Sequence, residues 1–142
     1  APHHILQMLE LLIQDIGCAI EIDTFDFSRP GPSYTVDTVR YLQKKYSEYS
    51  ISMIVGADQL MKFQKWKDYN EIINTVHIIG FNRENCDFTP RPKMNIKWIE
   101  DFNMDISSVG IRKDIAVGEP KENVLTPSVK NYIFENNLYG SE

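Results

Sequence analysis

The chain has 142 residues, enough for one domain with a real core. Hydrophobic residues make up 42% and charged residues 25%, ordinary for a soluble globular protein, and the formal net charge of −5 argues against a broad nucleic-acid-binding face while leaving room for a local basic pocket. The longest apolar stretch, ILQMLELLIQDI, is broken by Gln7, Glu10 and Gln14, too short and too polar to span a membrane, and no secretory leader pattern is visible.

The chain opens APHH and passes almost at once into a helical pattern. For an α/β protein this is an abrupt start, and it predicts that something N-terminal is missing. Residues 5–16 carry apolar side chains at 5, 9, 12, 13 and 16, a helical stripe, with Gly17 as its stop. CAIEID (18–23) is a strand candidate, and FSRPGPS (27–33) a loop. TVDTVRYLQKKY (35–46) predicts a helix with Val36, Val39, Leu42 and Tyr46 inward and Arg40, Lys44 and Lys45 outward. ISMIVG (51–56) is a continuous apolar run of the kind buried on both faces of a parallel sheet. ADQLMKFQKW (57–66) is helical, with Leu60, Phe63 and Trp66 on one side, and NEIINT (70–75) is a further helical turn or two. VHIIGF (76–81) is a second buried strand, NRENCDFTPRPKM (82–94) a polar loop, and IKWIE (96–100) an alternating outer strand. SVGIRKDIAVG (108–118) is a short helix, GEPKENVLT (118–126) a loop, and PSVKNYIFENN (127–137) a closing helix with proline in its first turn. Cys18 and Cys86 are far apart and match no metal pattern; two free thiols is the default, with one disulfide still open.

Alternating strands and helices predict an α/β fold with a parallel sheet flanked by helices. Ligands in such sheets bind beyond the carboxyl ends of the strands. That rule selects VGADQ after 51–55, GFNRE after 76–80 and DISS at 105–108. The last is the most suggestive chemically. A helix start presents unpaired N–H groups and partial positive charge, a ready site for phosphate. Ser107 and Ser108 can cap that helix or donate to phosphate oxygens, and Arg112, one turn beyond Ser108, matches phosphate in charge and geometry. The plainer account is a serine cap on a helix whose arginine is simply solvated.

Four segments add to this: PGPSYTVDT (30–38), VGADQLMKFQKW (55–66), DISSVGIR (105–112) and LTPSVKNYIFENNLY (125–139). In order and approximate spacing they resemble bacterial nicotinate-mononucleotide adenylyltransferases, and the resemblance runs from residue 5 to about 139. It implies a Rossmann-like nucleotidyltransferase domain that transfers AMP from ATP to nicotinate mononucleotide, giving nicotinate adenine dinucleotide and pyrophosphate in NAD synthesis. Ser107, Ser108 and Arg112 match the family's ATP-phosphate motif, with Ser108 and Arg112 as the catalytic pair. Trp66 matches the tryptophan that stacks on the nicotinate ring, Tyr34 and Thr35 the lining of the pyridine pocket, and Gly56 and Asp58 a turn bordering the nucleotide. Mg2+ is expected with ATP, held mainly by the substrate, because no dedicated metal cluster is visible. The implied partners are small molecules in the cytoplasm, with no nucleic acid and no membrane; a homo-oligomer stays open.

Without the resemblance each residue has a structural role available. Trp66 can pack on Phe63, Thr35 and Asp37 can cap a helix, and Asp58 can favour a helix dipole. Trp98 reads as packing and His77 as a satisfied structural histidine. Two departures from the family stand out. No HxGH-like catalytic motif is present, and by the family's proportions roughly fifty residues, including the strand with which a doubly wound sheet starts, are expected to precede the chain. The motif threonine is Val109, which removes a hydroxyl donor, and Gly110 weakens the helix start by up to about 1 kcal/mol relative to alanine. The chain therefore reads as a single, N-terminally incomplete nucleotidyltransferase domain of an enzyme, expected to be inactive alone. The alternative is a non-catalytic pyridine-nucleotide and ATP-binding module. A weaker third option is a sister adenylyltransferase acting on a substrate such as phosphopantetheine, against which the SYTVDT segment and Trp66 argue.

Overall fold

The computed structural model describes residues 2–83, 86, 88, 96–104 and 106–140, without the side chains of 83, 101, 103 and 104. In chain order its elements are α1 (Pro2–Ile16), α2 (Phe25–Ser28), α3 (Thr35–Lys45), β1 (Ser52–Gly56), α4 (Ala57–Leu60), a 3-10 turn (Phe63–Lys65), α5 (Tyr69–Thr75), β2 (His77–Arg83), β3 (Ile96–Met104), α6 (Ser108–Ala116), α7 (Pro127–Glu135) and a closing 3-10 turn (Leu138–Gly140). The chain forms two compact units, residues 28–105 and residues 1–27 with 106–142.

The unit of residues 28–105 is built on a parallel sheet in the order β1-β2-β3. Ile54 is level with Ile79 and Gly80 with Trp98; the register shifts between Phe81 and Asn82. One face of the sheet is closed by α3, α4 and α5 around Val36, Val39, Val55, Leu60, Phe63, Ile72, Val76 and Ile78. The helical period of 35–46 is realised as expected: Val36 and Val39 are buried, while Arg40, Lys44 and Lys45 are exposed. Gly80 lets Trp98 lie against β2, since a Cβ there would stand 2.6 Å from the indole and 2.9 Å from Leu60. Trp98 is thus a packing residue, with Phe88 at 5.5 Å between ring centroids. On the outer surface, Arg40 of α3 grips Glu71 of α5 in a two-pronged contact, Nε–Oε1 2.6 Å and Nη2–Oε2 2.5 Å.

Several expectations fail in this unit. β1 is not buried on both faces: Ser52 is exposed and Ile54 is 72% exposed, because the covering helices all pack on the Met53 and Val55 side. The single helix over 57–66 is instead a short α-helix and a 3-10 turn. Core burial of Leu60 and Phe63 outweighs the weak propensity of so short a segment, and the chain leaves Trp66 in extended backbone (ψ 144°). His77 is exposed at the first position of β2, not enclosed in a core. β2 runs on through Asn82 and Arg83, both expected in a loop; most of the rest of 82–94 lies outside the described residues. β3 is an outer strand, as its alternation suggested, and continues to Met104.

The unit of residues 1–27 and 106–142 packs α1, α6 and α7 around Ile115, Val129 and Ile133. The stripe at 5, 9, 12, 13 and 16 is rotated from the face α1 uses. Ile5, Leu9 and Ile16 are exposed, whereas Met8, Leu11 and Leu12 reach the core. The displaced face includes two polar residues that bond to α7: His4, with Nδ1 2.9 Å from the Tyr132 hydroxyl, and Asp15, which accepts from Ser128. CAIEID forms no strand. Ile20 is exposed and donates its N–H to the Cys18 carbonyl at 2.9 Å, a local bond in place of a ladder partner. The expected loop at 27–33 begins inside α2, whose first turn carries Asp26. Cys18 and Cys86 are free. Among the described residues no helix is long and apolar enough to cross a membrane.

Candidate functional site

The candidate residues divide between the two units. In the unit holding the chain ends, Ser107 is the N-cap of α6. Its extended backbone (φ −127°, ψ 146°) turns the side chain back over the first turn, where Oγ accepts the Gly110 N–H at 3.0 Å. A serine N-cap is what the sequence offered as the plain account, and Ser107 does act as one. Its hydroxyl hydrogen remains available to an outside acceptor, since the cap uses only the oxygen lone pair. Ser108 opens the helix and Arg112 lies four residues on, so both belong to one helical face; both are exposed. Among the described residues no carboxylate is paired with Arg112. Val109, in the place of the motif threonine, is 57% exposed, which leaves room for a side chain of similar size. Gly110 has a local reason to lack a side chain, because a Cβ would sit 3.2 Å from the capping Ser107 Oγ. Asp105 lies outside the described residues.

In the unit of residues 28–105, Tyr34 is the N-cap position of α3 and caps nothing with its side chain. Thr35 begins the helix and is half-buried. Asp37 is not a cap either: its carboxylate meets Arg29 at 3.5 Å and Arg40 at 3.2 Å. Gly56 ends β1 and serves as the N-cap position of α4, with φ −71° and ψ 153°, a backbone open to any residue. Asp58 stands in the first turn of α4, half-buried, and its Oδ2 accepts from Gln59 Nε2 at 3.1 Å. Trp66 is half-buried and tilted 57° against Phe63 at a centroid distance of 5.0 Å. The packing contact expected on general grounds is therefore present, with part of the indole still open to solvent.

Within that unit the Tyr34 and Trp66 segments are linked by a residue not singled out from the sequence. Lys67, next to Trp66, places Nζ 4.5 Å from the centre of the Tyr34 ring. A second link runs beside it. Arg40 spans Asp37, Asp68 at 3.4 Å and Glu71, so the backbone just after Trp66 is tied to α3. Asp68 holds a left-handed backbone (φ 51°) at that point. The hydrogen bond from Arg40, then their mutual attraction, lowers the Glu71 carboxyl below its ordinary value; the same bond raises the Arg40 guanidinium. No pattern in the sequence marks either link, since both join residues some thirty positions apart. Among the described residues no group of three His, Cys, Asp or Glu is placed to hold a metal ion.

Comparison with known proteins adds to this geometry. The model of the cytidylyltransferase-like family matches residues 3–114. A probable nicotinate-nucleotide adenylyltransferase of Prosthecochloris aestuarii is 32% identical over 149 residues, spanning 96% of this chain and 73% of its own length. One from Pelodictyon phaeoclathratiforme is 34% identical over 152 residues, spanning 100% of this chain and 71% of its own. The nicotinate-nucleotide adenylyltransferase of Bacillus subtilis is 32% identical over 139 residues, at 97% and 71%. Among solved structures, Plasmodium falciparum nicotinic acid mononucleotide adenylyltransferase complexed with NaAD superposes with a TM-score of 0.74 at 18% identity, covering 99% of this chain and 75% of that one. At that identity the likeness establishes the shared Rossmann-like nucleotidyltransferase fold.

Proposed function

The chain belongs to the nicotinate-nucleotide adenylyltransferase family, within the cytidylyltransferase-like proteins, and from that premise we propose how its own residues serve adenylyl transfer from ATP to nicotinate mononucleotide. The reaction is a step of NAD biosynthesis and makes the protein a transferase. A phosphate oxygen of nicotinate mononucleotide attacks the α-phosphorus of ATP, the bond to the β-phosphate breaks, and pyrophosphate leaves with the electron pair. Little covalent work falls to the protein in such a transfer; positioning and charge stabilisation dominate.

In this reading α6 binds the phosphates of ATP. Its first N–H groups and the Arg112 guanidinium stabilise the charge that gathers on the departing pyrophosphate. Ser107 holds the helix start in shape through its bond from Gly110 and offers its hydroxyl hydrogen outward, while Ser108 donates from the first helical position. Tyr34, Thr35 and Trp66 bind the pyridine, with the half-buried Trp66 supplying the stacking surface for a flat ring. Gly56 and Asp58 border the nucleotide at the carboxyl end of β1, the end at which such sheets bind ligands. Mg2+ would accompany the triphosphate and neutralise part of its charge, held mainly by the substrate. Its partners are thus small molecules, and a cytoplasmic location goes with this role.

The observation that carries the reading is the Ser107-capped start of α6 with Ser108 and Arg112 exposed on its face, inside a chain about one-third identical to the named relatives throughout. It is tested by pyrophosphate release with ATP, Mg2+ and nicotinate mononucleotide, with Arg112→Ala as control. Release that depends on Arg112 supports it. Nucleotide binding without release by these 142 residues fits both an enzyme that needs residues upstream and a non-catalytic module, and the same assay on the chain extended upstream separates the two.

A further inference from the structure

Around the start of α3 stand three cations, and two of them are engaged. Arg29 is held by Asp37, and Arg40 is held by Asp37, Asp68 and Glu71. Lys67 is different. Among the described residues no carboxylate lies within ion-pair distance of it, although its chain neighbour Asp68 is acidic; that acid faces Arg40 instead. The Lys67 ammonium rests on the Tyr34 ring at 4.5 Å, and Tyr34 is itself 41% exposed. A cation over an exposed aromatic face is weakly held and is readily drawn to a better anion. Its stem leaves the backbone at the residue after Trp66.

We infer that Lys67 is the residue by which this protein reads the charge of the pyridine substituent, favouring the nicotinate carboxylate over the nicotinamide carboxamide. The inference rests on the proposed placement of the pyridine ring at Trp66 and Tyr34. An ammonium is a compact point charge on a flexible stem, suited to swing a short way from a ring face to a carboxylate. A neutral carboxamide presents one acceptor oxygen and an NH2 group that repels the cation, so it gains far less. The Arg40 network serves the same end, because Asp37, Asp68 and Glu71 would otherwise compete for Lys67.

Calorimetric titration of the 142-residue chain with nicotinate mononucleotide and with nicotinamide mononucleotide tests this, using the unsubstituted protein, Lys67→Met and Lys67→Arg. The two ligands share their phosphate and differ only at the pyridine substituent. The expected result is a preference for the acid that falls about tenfold in Lys67→Met, with amide affinity unchanged and the preference largely restored in Lys67→Arg. Equal weakening of both ligands in Lys67→Met assigns Lys67 to the shared phosphate and overturns the inference, as does an unchanged preference. Binding of neither ligand by the unsubstituted protein overturns the functional reading itself, and the inference with it.

Discussion

Asp15, at the end of α1, caps the start of α7 from 113 residues away: its carboxylate accepts the Ser128 N–H at 3.2 Å and the Ser128 hydroxyl at 2.7 Å. The N-cap position of α7 is Thr126, whose own side chain makes no cap bond, so the anion that this helix start favours comes from another helix. Thr126, with its buried hydroxyl oxygen outside good hydrogen-bond geometry, and Ser128 both hold the Asp15 carboxyl below its ordinary value. A lowered folded-state value means stability that is present above the unfolded value and lost as pH falls through the folded one. Melting curves between pH 7 and pH 3 should therefore show a smaller acid loss for Asp15→Asn than for the unsubstituted protein. Equal losses would show that other carboxylates dominate.

Gly80 faces the Trp98 ring with no room for a methyl group. Gly80→Ala is expected to destabilise by about 1–3 kcal/mol, the usual range for overpacking. Urea denaturation followed by indole emission gives the number; a change below about 0.5 kcal/mol, the scale of an ordinary surface substitution, would mean that β3 shifts freely.

Ile54 and Ile78 make a contrast on one sheet. Ile54 is 72% exposed and Ile78 fully buried. Ile54→Thr should stay within about 0.5 kcal/mol, whereas Ile78→Ala should cost about 2–5 kcal/mol. Parallel denaturation of the two variants checks the ranking, and a large cost at Ile54 would contradict the one-sided cover of β1.

Val109→Thr returns a hydroxyl to the first turn of α6 at an exposed position. Valine and threonine have similar shape and helix propensity, so the substitution isolates the donor. The expected effect is a few-fold tighter binding of ATP, in line with one added hydrogen bond of about 1 kcal/mol, measured by titration. No gain would place the triphosphate away from residue 109.

Arg40 joins α3 to α5 on the surface, where added salt weakens such contacts. Arg40→Met should lower the melting temperature in dilute buffer, and the gap to the unsubstituted protein should narrow in 1 M salt. A gap indifferent to salt would point to lost packing by the arginine stem.

Much of the fold was legible because local signals agreed. In 35–46 the 3.6-residue period separated Val36 and Val39 from Arg40 and Lys44, and in 127–137 Pro127 marked the first turn. Legibility ended where a distant partner decided the outcome. The packed face of α1 includes His4 and Asp15, which count as outward residues until Tyr132 and Ser128 are in place. The run at 18–23 has strand-forming residues and found no ladder, a competition its composition does not record. At the candidate site the Ser107 cap could be read from order alone, since a cap is a matter of three or four residues. Lys67 could not: a lysine in a polar stretch looks like solvated charge, and only the fold brings it to Tyr34.

The two tryptophans, Trp66 and Trp98, both belong to residues 28–105, and the other unit has none. The protein thus carries a built-in optical label on one unit only. Indole emission will report on the surroundings of Trp66 and Trp98 in that unit. Far-ultraviolet dichroism sees the helices of both. If the two signals melt at one temperature, the units unfold together; if dichroism changes first, helix is lost before the surroundings of the two indoles change.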